Sequence, residues 1–224
     1  MTESRFSAAA AAPAAEPRPV ATRRPGKRTA RDPGDKRERI LRAATRVFAR
    51  KGFYATRVSE VAKAAGVADG TIYLYFKSKD DLLVSLFEDR VVLLLKAVER
   101  ELDKCDTPEG RLRAIIELQL GLLEGERDLA EVITVNLRQS TRLMKQYAAP
   151  KFTLYLETIA RVVAEGQKSG AFRDDVSPNV VARAVFGALD GVTMTWALGK
   201  ADPGGLSRAA PQVAAVLLRG LERR

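Results

Sequence analysis

The chain contains no histidine and a single cysteine among 224 residues. Without histidine, both the commonest general base and the commonest metal ligand are missing. One cysteine, Cys105, excludes an intrachain disulfide and any CxxC motif, and it fits a reducing compartment. Long apolar runs are also lacking: Val91 through Leu95, for one, is bracketed by Arg90 and Lys96, far short of the ~20 residues that cross a bilayer. There is no Walker loop and no GxSxG, and the glycine pairs Gly66/Gly70 and Gly187/Gly191 stand outside any phosphate-loop context. An enzyme, a metal site, a bound cofactor and a membrane span are therefore not expected. The alanines at 8 to 12 are too short and too weakly apolar for a signal peptide, and Pro13 interrupts them, so the expected location is the cytoplasm.

What the chain does have is an uneven charge. Residues 36 to 79 carry eleven Lys plus Arg against three Asp plus Glu, whereas residues 80 to 224 carry twenty against twenty-one. The positive field is thus concentrated on one segment of a chain whose total is +10, a footprint that points to DNA phosphates. Plain solvated basic helices are the bland alternative. The length leaves room for one small module plus one larger domain with its own core.

Within the basic segment, Val58, Val61, Ala62 and Ala65 recur at i, i+3, i+4 and i+7 and stop at Gly66, the period of a short helix with one buried face. After Gly66-Val67-Ala68 a second short segment begins near Asp69 and carries Thr71, Ile72, Tyr73, Tyr75 and Phe76. Two short helices joined by a glycine-containing turn form a helix-turn-helix, whose second helix enters the DNA major groove. Ahead of them, residues 35 to 50 read as a helix with Ile40, Leu41, Ala44, Val47 and Phe48 inward and Arg39, Arg42, Arg46 and Arg50 opposite. Phe53 and Tyr54 are expected to fold back as core. Thr56 is placed to cap the next helix, alone or together with a phosphate contact. Ile72 and Phe76 read as core, and Gly70 lets the backbone approach DNA closely. Residues 1 to 34 are rich in Ala, Pro and Arg, with four prolines by position 25, and read as a disordered arm. Its cluster Arg23, Arg24, Lys27, Arg28 and Arg31 could reach a minor groove or simply remain solvated.

The string GxxxxxVxxVAxxAGVxxGTIYxYFxSKxxLL, from Gly52 through Leu83, resembles the signature of the TetR family of bacterial transcriptional regulators. VADGTIYLYFKSKDDLLVSLF, NLRQS at 136 to 140 and FGALDGVTMTW at 186 to 196 resemble one branch, the FadR-like repressors of fatty-acid degradation, which leave DNA on binding long-chain acyl-CoA. The resemblance implies DNA contacts from Thr56, Arg57, Gly70, Thr71, Tyr73, Tyr75, Lys77 and Lys79, with Tyr75 and Lys79 on phosphate. Where many members have Ser this chain has Ala68, which leaves capping of the second helix to Asp69. The resemblance also makes the helix after residue 80 the link between head and ligand domain.

Beyond residue 80 only long helical patterns occur: 80 to 104, 108 to about 124, 128 to 144 as one or two, 151 to 168, 178 to 198 and 206 to 221. The expected fold is all-α, about nine or ten helices, with a three-helix head at 35–80 and a helical ligand-binding and dimerisation domain at 81–224. Phe152, Tyr155, Ile159 and Val162 on one helix, and Ala184, Ala188 and Gly191 on another, are the candidate homodimer interface, with intrachain core as the alternative. Polar residues in apolar helices mark a candidate ligand site. Arg138 needs an anion, either Asp190 or a ligand phosphate, and the pair with Asp190 is preferred. Leu118, Leu122, Ile133 and Phe186 would line an apolar tunnel. The expected function is a dimeric repressor on a palindromic duplex operator, released by a hydrophobic effector, a long-chain acyl-CoA. The rivals are a TetR-like repressor of an efflux or other metabolic operon, an enzyme on a helical scaffold, and an architectural DNA binder without ligand. A drug pocket would be expected to offer acidic and aromatic residues, and the aromatic count in 110 to 196 is modest.

Overall fold

The computed structural model describes residues 33–139, 149–200 and 202–223. Among them are nine α-helices and no strand, only the isolated bridge between Phe172 and Glu222. The N-terminal arm and residues 140–148, including Ser140 and the end of the expected 128–144 helix, lie outside the described residues.

Helix α1 (Pro33–Lys51) turns the predicted stripe inward: Ile40, Leu41, Ala44, Val47 and Phe48 are buried, with Ala43 beside them. It packs on α2 (Val58–Ala65), which buries Val61, Ala62 and Ala65 against it. Gly66 ends α2 at φ +65°, where a side chain would be strained. Its N–H bonds the Lys63 carbonyl and that of Val67 bonds the Ala62 carbonyl, the reverse turn that aims the next helix. Helix α3 is short, Asp69–Tyr73, anchored by Ile72 and, beyond its end, by Phe76. Tyr75 therefore sits past the helix rather than within it. No side chain caps α3: Ala68 holds the N-cap position and Asp69 lies in the first turn, a correction to the expected Asp69 cap.

Helix α4 (Lys79–Leu102) runs 24 residues, about 36 Å at 1.5 Å per residue. Ser78 starts it, its hydroxyl accepting the Asp81 N–H while the Asp81 carboxylate accepts the Lys77 N–H. Leu82, Leu83, Leu86, Val91, Leu94 and Val98 are buried on its inner face. Helix α5 (Pro108–Gly121) opens with the Thr107 hydroxyl accepting the Gly110 N–H and with Pro108 in the first turn. Helix α6 (Arg127–Glu131) widens into a π turn at Val132–Asn136 and then tightens into a 3₁₀ turn at Leu137–Gln139, where sequence periodicity alone suggested ordinary helix. Helices α7 (Ala149–Ser169), α8 (Pro178–Leu198) and α9 (Gly205–Leu221) complete the body. The helices α4, α5, α7 and α8 surround a shared core, α9 closes over α5 and α8, and α6 packs on both α8 and α1.

These packings place the α7 half of the expected dimer face inside the chain. Tyr155, Ile159 and Val162 on α7 are buried inside the single chain, and Phe152 is partly buried beside Phe186. They are intrachain core, because the apolar stripe of α7 faces α5 and α8. Ala184, Ala188 and Gly191 on α8 do reach the surface to different degrees.

Candidate DNA-binding face and ligand cavity

The head offers an exposed surface around α3. Tyr73 is 58% exposed, Leu74 81% and Tyr54 63%, while Arg57, Gly70 and Lys77 are also on the surface and Thr71 and Tyr75 are half-buried. Lys36, Arg42, Arg46, Arg50 and Lys63 add exposed cations on α1 and α2. Leu74 and Tyr54 escape pattern reading, which assigns apolar residues to a core; their signal is the exposure of a large side chain on the head. Tyr54 was expected inside with Phe53, yet only Phe53 is buried, with the Tyr54 ring edge-on to it at 5.3 Å.

Three residues expected at the surface are instead holding the head together. Thr56 is 2% exposed, and its hydroxyl donates to the Gly52 carbonyl at 2.8 Å instead of capping α2. The N-cap is Arg57, one residue later, and its N–H is taken by the Glu60 carboxylate at 3.0 Å. That bond, with the ion pair to Lys51, holds the Glu60 carboxyl below its ordinary range. Lys79 donates to the carbonyls of Phe53, Tyr54 and Thr56 at 2.9, 3.2 and 2.9 Å, with its ammonium 4.6 Å from the Phe53 ring centre. An ammonium has three protons, so Lys79 is committed to clamping the α1–α2 turn and not to a phosphate. Arg39, read as solvent-facing, donates to the Ala65 carbonyl at 2.7 Å, neutralising the C-terminal end of α2. Arg37 makes two bonds to Asp89, at 2.6 and 3.1 Å, and lies 5.6 Å over the Phe76 ring, joining α1 to α4. The Asp89 bond raises the Arg37 pKa.

The body holds an apolar cavity of about 140 Å³, partly open to solvent and lined by Phe87 of α4, Gln119 of α5, Ile133, Thr134, Leu137 and Arg138 after α6, Phe152 of α7, and Phe186, Asp190 and Thr193 of α8. A second lobe of about 70 Å³ shares Phe87, Gln119, Ile133, Phe152 and Phe186 and extends to Arg90, Leu94, Leu122 and Tyr155. Phe152 and Phe186 meet edge-on at 4.6 Å in the wall common to both lobes. Of the expected lining, Ile133, Phe186, Arg138, Asp190 and Leu122 are in place. Leu118 is not: it faces an outer groove beside Cys105 and Ala114. Phe87, Gln119 and Thr134 went unread because a cavity is a property of several helices together and leaves no local period.

The cavity's polar groups are already matched. Arg138 and Asp190 form an ion pair at 2.5 Å, with Asp190 at 12% and Arg138 at 44% side-chain exposure, so the pair spans wall and surface. Tyr155 donates its hydroxyl proton to Gln119, and burial pushes its phenol pKa up. Thr134 and Thr193 donate to the Ala130 and Leu189 carbonyls of their own helices. An apolar ligand can therefore occupy the cavity without stranding a buried donor.

Residues 40–86 match the family model for bacterial regulatory proteins of the tetR family, and residues 87–220 match that for the C-terminal region of YsiA-like proteins. The fatty acid metabolism regulator protein of Bacillus subtilis (strain 168) is 35% identical over 159 residues, 71% of this chain and 82% of that protein. The crystal structure of the transcriptional regulator FadR from Bacillus subtilis in complex with stearoyl-CoA superposes with a TM-score of 0.76 at 31% identity, covering 83% of this chain and 99% of that one. The fatty acid degradation regulator FadR from Bacillus halodurans gives 0.79 at 31% identity, covering 87% and 100%. With a cationic helix-turn-helix head matching one family model and a cavity-bearing helical body matching the other, the chain belongs to the TetR family of bacterial regulatory proteins and is a DNA-binding transcriptional regulator.

Proposed function

We propose that the protein is a cytoplasmic homodimeric repressor of fatty-acid degradation genes, released from a palindromic operator by a long-chain acyl-CoA. The observation that carries this reading is the two-lobed apolar cavity with matched polar groups and one ion pair at its edge, in a chain 35% identical to a fatty acid metabolism regulator. Residues 35–80 act as the reading head and 81–224 as the sensing and pairing body. Arg57, Gly70, Thr71, Tyr73, Tyr75 and Lys77 meet DNA, joined by Tyr54 and Leu74; Thr56 and Lys79 position the head from inside. An exposed leucine beside Tyr73 suits a thymine methyl in the major groove.

The acyl chain occupies the cavity, and Arg138 turns from Asp190 to a CoA phosphate at its edge. A sensor of cationic drugs would present an unpaired acid, whereas Asp190 is already paired. No helix among the described residues is long and apolar enough to cross a membrane. Binding acts as a switch only if the thioester prefers the head geometry that fits DNA poorly; reversing a 1:99 population takes about 5.5 kcal/mol of differential affinity.

The test is a mobility-shift titration on an operator duplex selected from a random-sequence pool, with stearoyl-, palmitoyl- and oleoyl-CoA and with free CoA as control. Long-chain thioesters are expected to release the duplex at concentrations where free CoA does not. Operator affinity indifferent to every thioester would refute the effector assignment.

A further inference from the structure

The cavity and the reading head meet at one side chain that neither function has absorbed. Asn136 is 3% exposed, and its Oδ1 accepts the backbone N–H of Phe53 at 2.9 Å, 83 residues away in sequence. Phe53 is itself buried, just past the end of α1. Its carbonyl accepts a proton from Lys79, the first residue of α4, and the N–H of Thr56. The turn held in this way connects α1 to α2 and, through Lys79, to the helix that follows α3. On the other side of the same segment, Ile133, Thr134, Leu137 and Arg138 form the cavity wall. Asn136 thus stands between the ligand's space and the backbone on which the head is mounted.

The contact is made in this structure, and its setting shows what would break it. Asn136 is the last residue of the π turn Val132–Asn136, followed at once by the 3₁₀ turn Leu137–Gln139. A π turn holds one residue more than an α turn, and such turns occur frequently at functional sites. Converting it to α-helix rotates everything downstream by about 100° about the axis. A chain pressing on Ile133, Thr134 and Leu137 acts directly on that choice, and the rotation carries the Asn136 amide away from Phe53. The Phe53 N–H is then buried without a partner, a state the head leaves by loosening the turn.

We propose that Asn136 is the positioning residue through which occupancy of the cavity sets the geometry of the DNA-reading head, its bond to Phe53 being made in the operator-binding state and broken when the cavity fills. This rests on the functional reading above, with a titration of the wild-type protein separating the two. A wild-type protein that ignores stearoyl-CoA refutes the functional reading, and this inference falls with it before any variant is made.

The experiment compares the full chain with Asn136→Ala and Asn136→Leu, measuring operator affinity with and without saturating stearoyl-CoA, and thioester binding directly by calorimetry. Both variants are expected to bind stearoyl-CoA within about threefold of wild type. Their thioester-free operator affinity should fall roughly tenfold or more, and the ratio of affinities without and with thioester should shrink by a similar factor. A ratio unchanged from wild type overturns the proposal. Should neither variant fold, hydrogen exchange at the Phe53 amide of the wild-type protein decides it. Slow exchange that accelerates on stearoyl-CoA binding supports the latch, and a rate that does not change overturns it.

Discussion

Gly70 shows how a single residue's role separates from its packing. It lies in α3, exposed, with an ordinary helical backbone, and a Cβ built on it meets nothing within 4 Å. Neither a turn nor a tight contact in the free protein calls for glycine there. Alanine in a helix is favoured over glycine by about 0.5–1 kcal/mol. Gly70→Ala is therefore expected to leave thermal stability unchanged or slightly raised, while operator affinity drops by roughly tenfold because the added methyl holds the α3 backbone off the groove; each 1.4 kcal/mol lost is tenfold. Paired thermal melts and mobility shifts check it, and unaltered affinity would remove Gly70 from the interface. Gly66 is the contrast, since its φ of +65° makes the residue a requirement of the fold. Lys79 makes the same point for charge. Family resemblance marks Lys79 as a phosphate ligand, whereas three carbonyls from one turn consume its protons.

At the scale of elements, α7 and α9 are tied by a small residue that makes room for a large one. Gly166 in α7 sits under the ring of Phe172, and a Cβ there would lie 2.1 Å from the ring. Phe172 is buried, its N–H bonds the Gly166 carbonyl, and the adjacent Arg173 N–H bonds the Leu221 carbonyl at the end of α9. Gly166→Ala should cost about 1–3 kcal/mol through overpacking, read as a lower midpoint in denaturant unfolding, with operator specificity unchanged because the head is remote in sequence and untouched. An unaltered midpoint would mean the α7–α9 junction yields without cost. The helices themselves were largely legible, because a 3.6-residue period with caps such as Thr107-Pro108 is a local signal. The π and 3₁₀ turns after α6 were not: they follow from how α6 is held between α1 and α8, which no local period records. The short α3 was misjudged in length for a similar reason, since Tyr75 and Phe76 continue the apolar pattern after the helix has ended. The ion pair of Arg138 with Asp190 was readable, because a charge in an apolar helix calls for an opposite one, although the buried member is Asp190 and not Arg138.

For the whole molecule, the proposed homodimer raises the question of which face a second copy covers. Periodicity picked Tyr155, Ile159 and Val162, spaced four and three apart, since the strongest stripe on a helix is the one that faces its own core. The outward face of α8 is weaker in pattern and different in kind. Val180, Ala184, Gly187, Ala188, Gly191 and Leu198 share one side, all at least partly exposed, with open space at both glycines, so that nothing among the described residues accounts for the small size of those glycines. On α7, which packs on α8, Leu154 and Ala164 are also exposed. A small-residue helix face lets an identical pair approach closely, the self-complementary arrangement that a two-fold dimer needs. Placing glutamate on it sets like charges against each other across that axis and buries them. Ala184→Glu combined with Ala188→Glu is therefore expected to give a folded monomer by analytical ultracentrifugation, with helical content and stearoyl-CoA binding kept. Its operator affinity should fall by about 100-fold or more, because two half-sites are no longer engaged by one particle. A double variant that still sediments as a dimer would place the interface elsewhere, and a monomer with undiminished affinity would mean that one head alone reads the operator.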